Sequence, residues 1–156
     1  TKGVRSPKNF MNFFKDTENI EFHWYVNDDS KNEIASHNKE LNSIFHSIVE
    51  REEALKLMAG SFHCLVSIGN LNTTQIPSKV IEYISTGKPV IHFCEVENDP
   101  VKNIANEFQN LFIISETSNK ENLLNQLNSF YKDISTFNKE LFIEKYTSNS
   151  ITEILD

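Results

Sequence analysis

The sequence predicts an α/β domain, Rossmann-like and three-layered, with a mostly parallel sheet. Three observations predict it. Short apolar runs rich in branched and aromatic residues, at positions 20–26, 43–49, 63–68, 90–93 and 111–114, alternate with segments of helical periodicity. Residues 63–93 (HCLVSIGNLNTTQIPSKVIEYISTGKPVIHF) read as strand, loop, short helix and strand, a βαβ unit whose parallel strands need such a crossover. All four glycines (Gly3, Gly60, Gly69, Gly87) and all four prolines (Pro7, Pro77, Pro89, Pro100) fall at junctions between elements, as expected where local and global signals agree.

Taken in order, Arg5, Ser6 and Pro7 open a helix, with Ser6 as N-cap and Pro7 at the first helical position, where a missing amide hydrogen costs nothing. Phe10, Phe13 and Phe14 give that helix an apolar face. Residues 20–26 (IEFHWYV) form a strand, ended by the turn cluster Asn27, Asp28, Asp29 and Ser30. The polar stretch 31–42 is assigned to loop and a short helix. Residues 43–49 (SIFHSIV) make the next strand. Glu50, Glu52 and Glu53, around Arg51, load acids into the start of a helix that runs to Ala59 and closes at Gly60.

After the central βαβ unit, an acidic loop (Glu95, Glu97, Asp99) leads to Pro100 and a helix from Val101 to about Gln109. Residues 111–114 (LFII) are a continuous apolar strand of the kind buried on both faces. Residues 119–131 form an amphipathic helix with Leu123, Leu124, Leu127 and Phe130 on one stripe. The tail 137–156 reads as two helical parts broken around 147–150. A doubly wound half ordinarily opens on a strand and this one opens on a helix. A strand and a glycine-rich turn are therefore expected ahead of Thr1. A first residue other than Met fits a piece of a longer protein.

At 156 residues the chain fits one domain, 1–156, large enough to bury a core. A net charge of −7 argues against a nucleic-acid footprint over the whole surface, so any phosphate recognition must be local. No apolar run approaches the ~20 residues of a membrane span, and the start TKGVRSP lacks the features of a secretory signal. Cys64 and Cys94 both fall in or beside apolar runs and read as reduced core thiols of a cytoplasmic protein. His23, His37, His46, His63 and His92 are scattered, with no pair at ligand spacing, and no metal is expected.

Ligands of an open parallel sheet bind beyond the carboxyl ends of its strands. That rule selects the loops 27–32, 47–50, 69–79 and 94–99, of which 69–79 is the richest. Gly69 and Asn70 leave the strand. Asn72, Thr73, Thr74 and Gln75 supply hydroxyl and amide groups. Pro77, Ser78 and Lys79 open a helix whose free N–H groups and dipole favour an anion. Glu82 follows Ser78 by four positions and Lys79 by three, so the three side chains can rise together. A carboxylate cannot serve the same phosphate, and its use would be to accept hydrogen bonds from sugar hydroxyls. Val80, Ile81 and Ile84 occupy the opposite side and should pack on the sheet.

Each of these residues has a plainer reading. Lys79 and Glu82 can form a surface ion pair worth a few tenths of a kcal/mol. Asn70 and Gln75 can be turn residues, Arg5 a solvated charge, His92 a hydrogen-bonded core residue, and Glu95, Glu97 and Asp99 a solvated acidic loop. A phospho-acceptor receiver domain, suggested by Asp28, Asp29 and the pair Lys88 and Pro89, fails on geometry. Lys88 and Pro89 precede a strand instead of following one, which puts the lysine at the opposite edge of the sheet.

The stretches LVSIGN (65–70), QIPSKVIEY (75–83) and STGKPVI (85–91) resemble the carboxyl-terminal domain of GT-B glycosyltransferases that build bacterial surface polysaccharides. The element order agrees over nearly the whole chain, and specific identity is confined to this stretch. The resemblance implies one half of a GT-B fold, with the amino-terminal acceptor domain absent. In it, Glu82 holds the nucleotide's ribose, Pro77, Ser78 and Lys79 bind the diphosphate, and Arg5 approaches the phosphates. The backbone near Ser47 and Ile48 would line the base pocket, while Asn70, Thr74 and Gln75 border the donor. Where the better-known branch carries a second glutamate, eight positions before the first, this chain has Thr74. The donor-sugar contacts and the stereochemical outcome are thereby left open, with retention the family default.

The implied activity is transfer of a sugar from UDP-sugar or GDP-sugar to a saccharide or lipid-linked acceptor. Protein donors would stabilise the departing diphosphate without a metal. The implied partners are the nucleotide diphosphate sugar and the missing amino-terminal domain, with no nucleic acid and no direct membrane contact by this part. The full-length protein would be cytoplasmic, with the inner membrane face as its possible station. Two other classes stay open on the sequence: half of a nucleotide-sugar epimerase, and a non-catalytic α/β interaction domain.

Overall fold

A computed structural model describes residues 7–37 and 41–132. Arg5, the expected cap Ser6 and the expected helical tail at 137–156 lie outside the described residues. The elements alternate as expected: α1 (Lys8–Phe14), β1 (Phe22–Tyr25), α2 (Asp28–His37), β2 (Ser43–His46), α3 (Arg51–Gly60), β3 (Leu65–Ile68), α4 (Ser78–Ile84), β4 (Val90–Phe93), α5 (Lys102–Ala105), β5 (Leu111–Ile114) and α6 (Lys120–Lys132). Among the described residues all strand pairs are parallel, but the strands form two sheets: β1 with β2, and β3-β4-β5.

Register explains the layers. Val66, Ile91 and Phe112 stand side by side, as do Ile68, Phe93 and Ile114. This face joins Phe22 and Phe45 of the other sheet in one apolar cluster under α1, α2 and α6, through Phe10, Phe13, Phe14, Ile34 and Leu123. Alternation turns Leu65, Val90 and Leu111 to the opposite face. There Val90 and Leu111 pack with Val80 and Ile84 of α4, and with Val101 and Phe108. β4 is buried at every position because helices cover both faces. Phe10 is the keystone of the first cluster: fully buried, it meets Phe14, Phe22, Trp24 and Phe93 at ring-centroid distances of 4.9–6.3 Å.

Several expected boundaries move, each for a visible reason. Asn27, Asp28, Asp29 and Ser30 do not form a turn after β1 but start α2, because the Asn27 side-chain oxygen accepts the Ser30 amide at 2.9 Å as an N-cap does. β2 stops at His46, whose carbonyl takes the last rung from Val26, so Ser47, Ile48 and Val49 leave the ladder. α5 is a single turn and does not reach Gln109, since Phe108 must turn into the core. The buried Asn110 amide then ties the Ile84 and Lys88 carbonyls together at 3.0 and 2.9 Å. Gly87 ends the α4 segment at φ 73°, a left-handed conformation that suits glycine. Among the described residues no helix is long and apolar enough to cross a membrane.

Candidate functional site

The carboxyl ends of β2 and β3 meet through one contact. Glu82, on the second turn of α4, places Oε2 2.6 Å from Lys79 Nζ and Oε1 3.6 Å from Nη2 of Arg51, the first residue of α3. The Glu82 side chain is 18% exposed, whereas Lys79 and Arg51 reach into solvent at 54% and 81%. The carboxylate is thus partly sheltered and its cationic partners are solvated, a geometry worth little for stability. Arg51 went unnoticed in the sequence although it opens a helix just after a strand's carboxyl end, where the same rule would have selected it.

The start of α4 offers donors. Pro77 stands in extended backbone one residue ahead of the helix, at the N-cap position, and no side chain caps the first turn. Pro77 is itself fully buried, so it sets the entry direction of the chain, while Ser78 and Lys79 are exposed beside it. The preceding loop is self-supporting. Asn72 Oδ1 accepts the Gln75 amide at 3.2 Å, and the Asn70 side chain, 2% exposed, donates to the Gln75 carbonyl at 3.0 Å. Asn70 therefore acts as a turn residue, while Thr74 and the Gln75 side chain are exposed. Ser47 is exposed and Ile48 strongly so, at 65%, on the loop that ends in Arg51. The structure brings together Lys79, Glu82 and Arg51, with Ser78 next to Lys79 in the same turn.

A second polar group lies behind this surface. His92 is a hydrogen-bonded core residue, as expected: its Nε2 donates to Asp99 Oδ2 at 3.1 Å, both side chains being buried. Asp99, expected in a solvated acidic loop, is instead 3% exposed, and its Oδ1 accepts the Val101 amide at 2.9 Å. Burial alone would push the Asp99 carboxyl up. The hydrogen bonds from His92 and Val101 and the charges of His92 and Lys102 outweigh it and hold the group below the ordinary carboxylate value. Glu95 is half-buried and raised by burial, with an Asn9 hydrogen bond at 2.9 Å opposing and the Glu116 charge adding.

Ligand-capable atoms of His92, Cys94 and Asp99 lie within 4.8 Å of one another, so the fold gathers residues whose chain spacing is no metal motif. Burial pushes the Cys94 thiol up to about 12, the Asp99 charge adding and the Lys102 charge opposing. With the thiol neutral and both Asp99 oxygens engaged, the cluster works as a joint that closes the α5 segment onto β4.

An open groove between β5 and α6, lined by Phe108, Phe112, Asn122, Gln126 and Phe130, lies on the flank of the sheet and contains none of the candidate residues. No protein-family model, curated protein or solved structure matches the chain.

Proposed function

We propose that the chain is the nucleotide-sugar-binding half of a GT-B glycosyltransferase, which moves a sugar from a UDP- or GDP-sugar to a saccharide or lipid-linked acceptor in surface polysaccharide synthesis. The observation that carries the reading is the Arg51, Lys79 and Glu82 contact, which joins the helices that follow β2 and β3 beside an uncapped helix start. Pyrophosphate at the Ser78 and Lys79 amides would meet unpaired N–H groups and a cation. Lys79 would then exchange the Glu82 carboxylate for phosphate, freeing Glu82 to accept hydrogen bonds from the ribose hydroxyls. Ile48 offers an exposed apolar surface for the base. These donors would offset the charge that develops on the departing diphosphate. Acceptor and catalytic base belong to the amino-terminal domain of the same cytoplasmic protein, so the chain alone binds donor weakly and turns over nothing.

Lys79 and Glu82, paired at 2.6 Å, also favour a second reading: a non-catalytic α/β interaction domain in which the two merely satisfy each other. Calorimetry with UDP, GDP and their sugars separates the two. Binding that disappears in Lys79→Ala and in Glu82→Ala supports the transferase half. A folded chain that binds no nucleotide overturns it in favour of the interaction domain.

A further inference from the structure

The three groups gathered behind Gly69 form a donor set that their hydrogen bonds do not exhaust. His92 and Cys94 are two residues apart on one extended run, because the Cys94 amide carries the β4 ladder on to the Ile114 carbonyl at 2.7 Å. Their side chains therefore leave on the same side. Asp99 returns to that side from the loop beyond the strand, with Oδ2 3.1 Å from His92 Nε2. A Cβ at residue 69 would lie 2.4 Å from that oxygen, so glycine keeps open the space the carboxylate fills. One imidazole nitrogen, one sulfur and one carboxylate oxygen thus stand within 4.8 Å of one another, on residues each at most 5% exposed.

Two features of the cluster point to a ligand. Buried polar atoms are ordinarily hydrogen-bonded, yet His92 Nδ1 is buried without a partner. The ring is committed at one nitrogen only, so its proton can move to Nδ1 and leave Nε2 free to coordinate. The second feature is charge. An isolated ion is costly to bury, but a divalent cation with one thiolate, one carboxylate and one neutral imidazole makes a group of net charge zero. The Lys102 ammonium, which acts on both Cys94 and Asp99, is exposed and donates to the Glu97 carbonyl.

We propose that His92, Cys94 and Asp99 are ligands of a structural zinc ion. Mixed nitrogen, sulfur and oxygen donors select zinc over magnesium and calcium, which take oxygen donors. A tetrahedral zinc ion holds its donor atoms roughly 3.3–3.6 Å apart. Separations of 3.1 Å for nitrogen and oxygen and at most 4.8 Å across the set reach that geometry once the 94–99 loop closes by about 1 Å. Binding forms a zinc–sulfur bond and releases the thiol proton to solvent. Nε2 and Oδ2 exchange their mutual hydrogen bond for the ion, while Oδ1 keeps the Val101 amide, an outer bond of the kind that orients a ligand. Ser67, buried and level with His92 in the register, offers a hydroxyl for the fourth position. Without the ion these groups form the joint between the α5 segment and β4; with it, the joint is locked. The inference is independent of nucleotide binding.

Titration of the folded chain with cobalt(II) and then zinc tests it. Cobalt bound to a thiolate gives a near-ultraviolet charge-transfer band, and a four-coordinate cobalt site absorbs strongly in the visible. Both signals should saturate at one equivalent and disappear as zinc displaces the cobalt. Cys94→Ser should lose the charge-transfer band, and His92→Gln and Asp99→Asn should each weaken zinc binding at least about tenfold, whereas Cys64→Ala should keep band and affinity. Zinc should raise the urea midpoint of the unsubstituted chain and leave that of Cys94→Ser unchanged. Absence of the band overturns the proposal, as does a band kept in Cys94→Ser and lost in Cys64→Ala. Zinc binding that none of the three ligand substitutions alters is an adventitious ion only and also overturns it. If those variants do not fold, the ring nitrogen signals of His92 in the unsubstituted chain decide by NMR: zinc should shift them, and signals that stay in place overturn the proposal.

Discussion

Asp99 occupies the space into which a side chain at Gly69 would grow: a Cβ there would lie 2.4 Å from Asp99 Oδ2, with the Phe93 carbonyl at 3.1 Å. The carboxylate cannot retreat, because His92 and the Val101 amide hold its two oxygens. Gly69→Ala should therefore destabilise the domain by about 1–3 kcal/mol, the usual cost of overpacking. Urea unfolding checks this, and a change within about 0.5 kcal/mol, the range of neutral surface substitutions, would contradict the packing.

The same carboxylate sets a pH dependence. Because the Asp99 carboxyl is depressed in the folded state, its stabilising contribution is complete above the ordinary value of 3.8 and disappears as pH falls below that toward the folded value. Asp99→Asn should lower stability by about 1–3 kcal/mol at pH 7, the range for a lost charge-assisted hydrogen bond. The gap to the unsubstituted chain should narrow as pH falls below 3.8. Urea midpoints measured across that interval test it, and a gap that does not vary with pH would remove Asp99 as its source.

Asn110 joins the end of α4 to the entry of β4 through two donated hydrogen bonds, to Ile84 and Lys88. Asn110→Asp keeps the shape and removes both donors, so it should cost more than Asn110→Ala. Each should lose upward of about 1 kcal/mol. Thermal unfolding of the two variants checks the order, and an aspartate as stable as asparagine would contradict the bonding.

Phe10 and Ile48 are both large apolar residues with opposite fates. Phe10→Ala should cost about 3–5 kcal/mol, because its cavity opens among four aromatic rings. Ile48→Ala, at a 65% exposed position, should change stability by less than about 0.5 kcal/mol. Chemical denaturation of both variants reads the contrast.

What the sequence made legible was local. Residues 90–93 and 111–114 are bounded as expected because their apolar runs are short, the first opening after Pro89 and the second lying between Asn110 and Ser115. The α1 face is set by Phe10, Phe13 and Phe14 at helical spacing, and all three are buried. What stayed hidden depended on partners distant in the chain. Asn27 looked like a turn residue, since the same side-chain oxygen that makes a turn also caps a helix. Asp99 looked solvated in an acidic run, and its burial follows from His92 seven residues earlier on a strand whose direction only the fold reveals. Lys79 and Glu82 were paired correctly by spacing, but the approach of Arg51 from α3 required the sheet.

Lys79 reaches into solvent from its pair with the partly sheltered Glu82, so Lys79→Met and Glu82→Gln should each shift stability by less than about 1 kcal/mol. That leaves their ligand role open to a clean reading. The most direct measurement is an NMR titration of the folded chain with UDP and GDP, following the backbone amides of Ser47, Ile48, Ser78, Lys79 and Glu82. The account predicts saturable shifts at these amides with either nucleotide, abolished by Lys79→Met and by Glu82→Gln. Shifts absent for both nucleotides, or confined to the groove between β5 and α6, would contradict it.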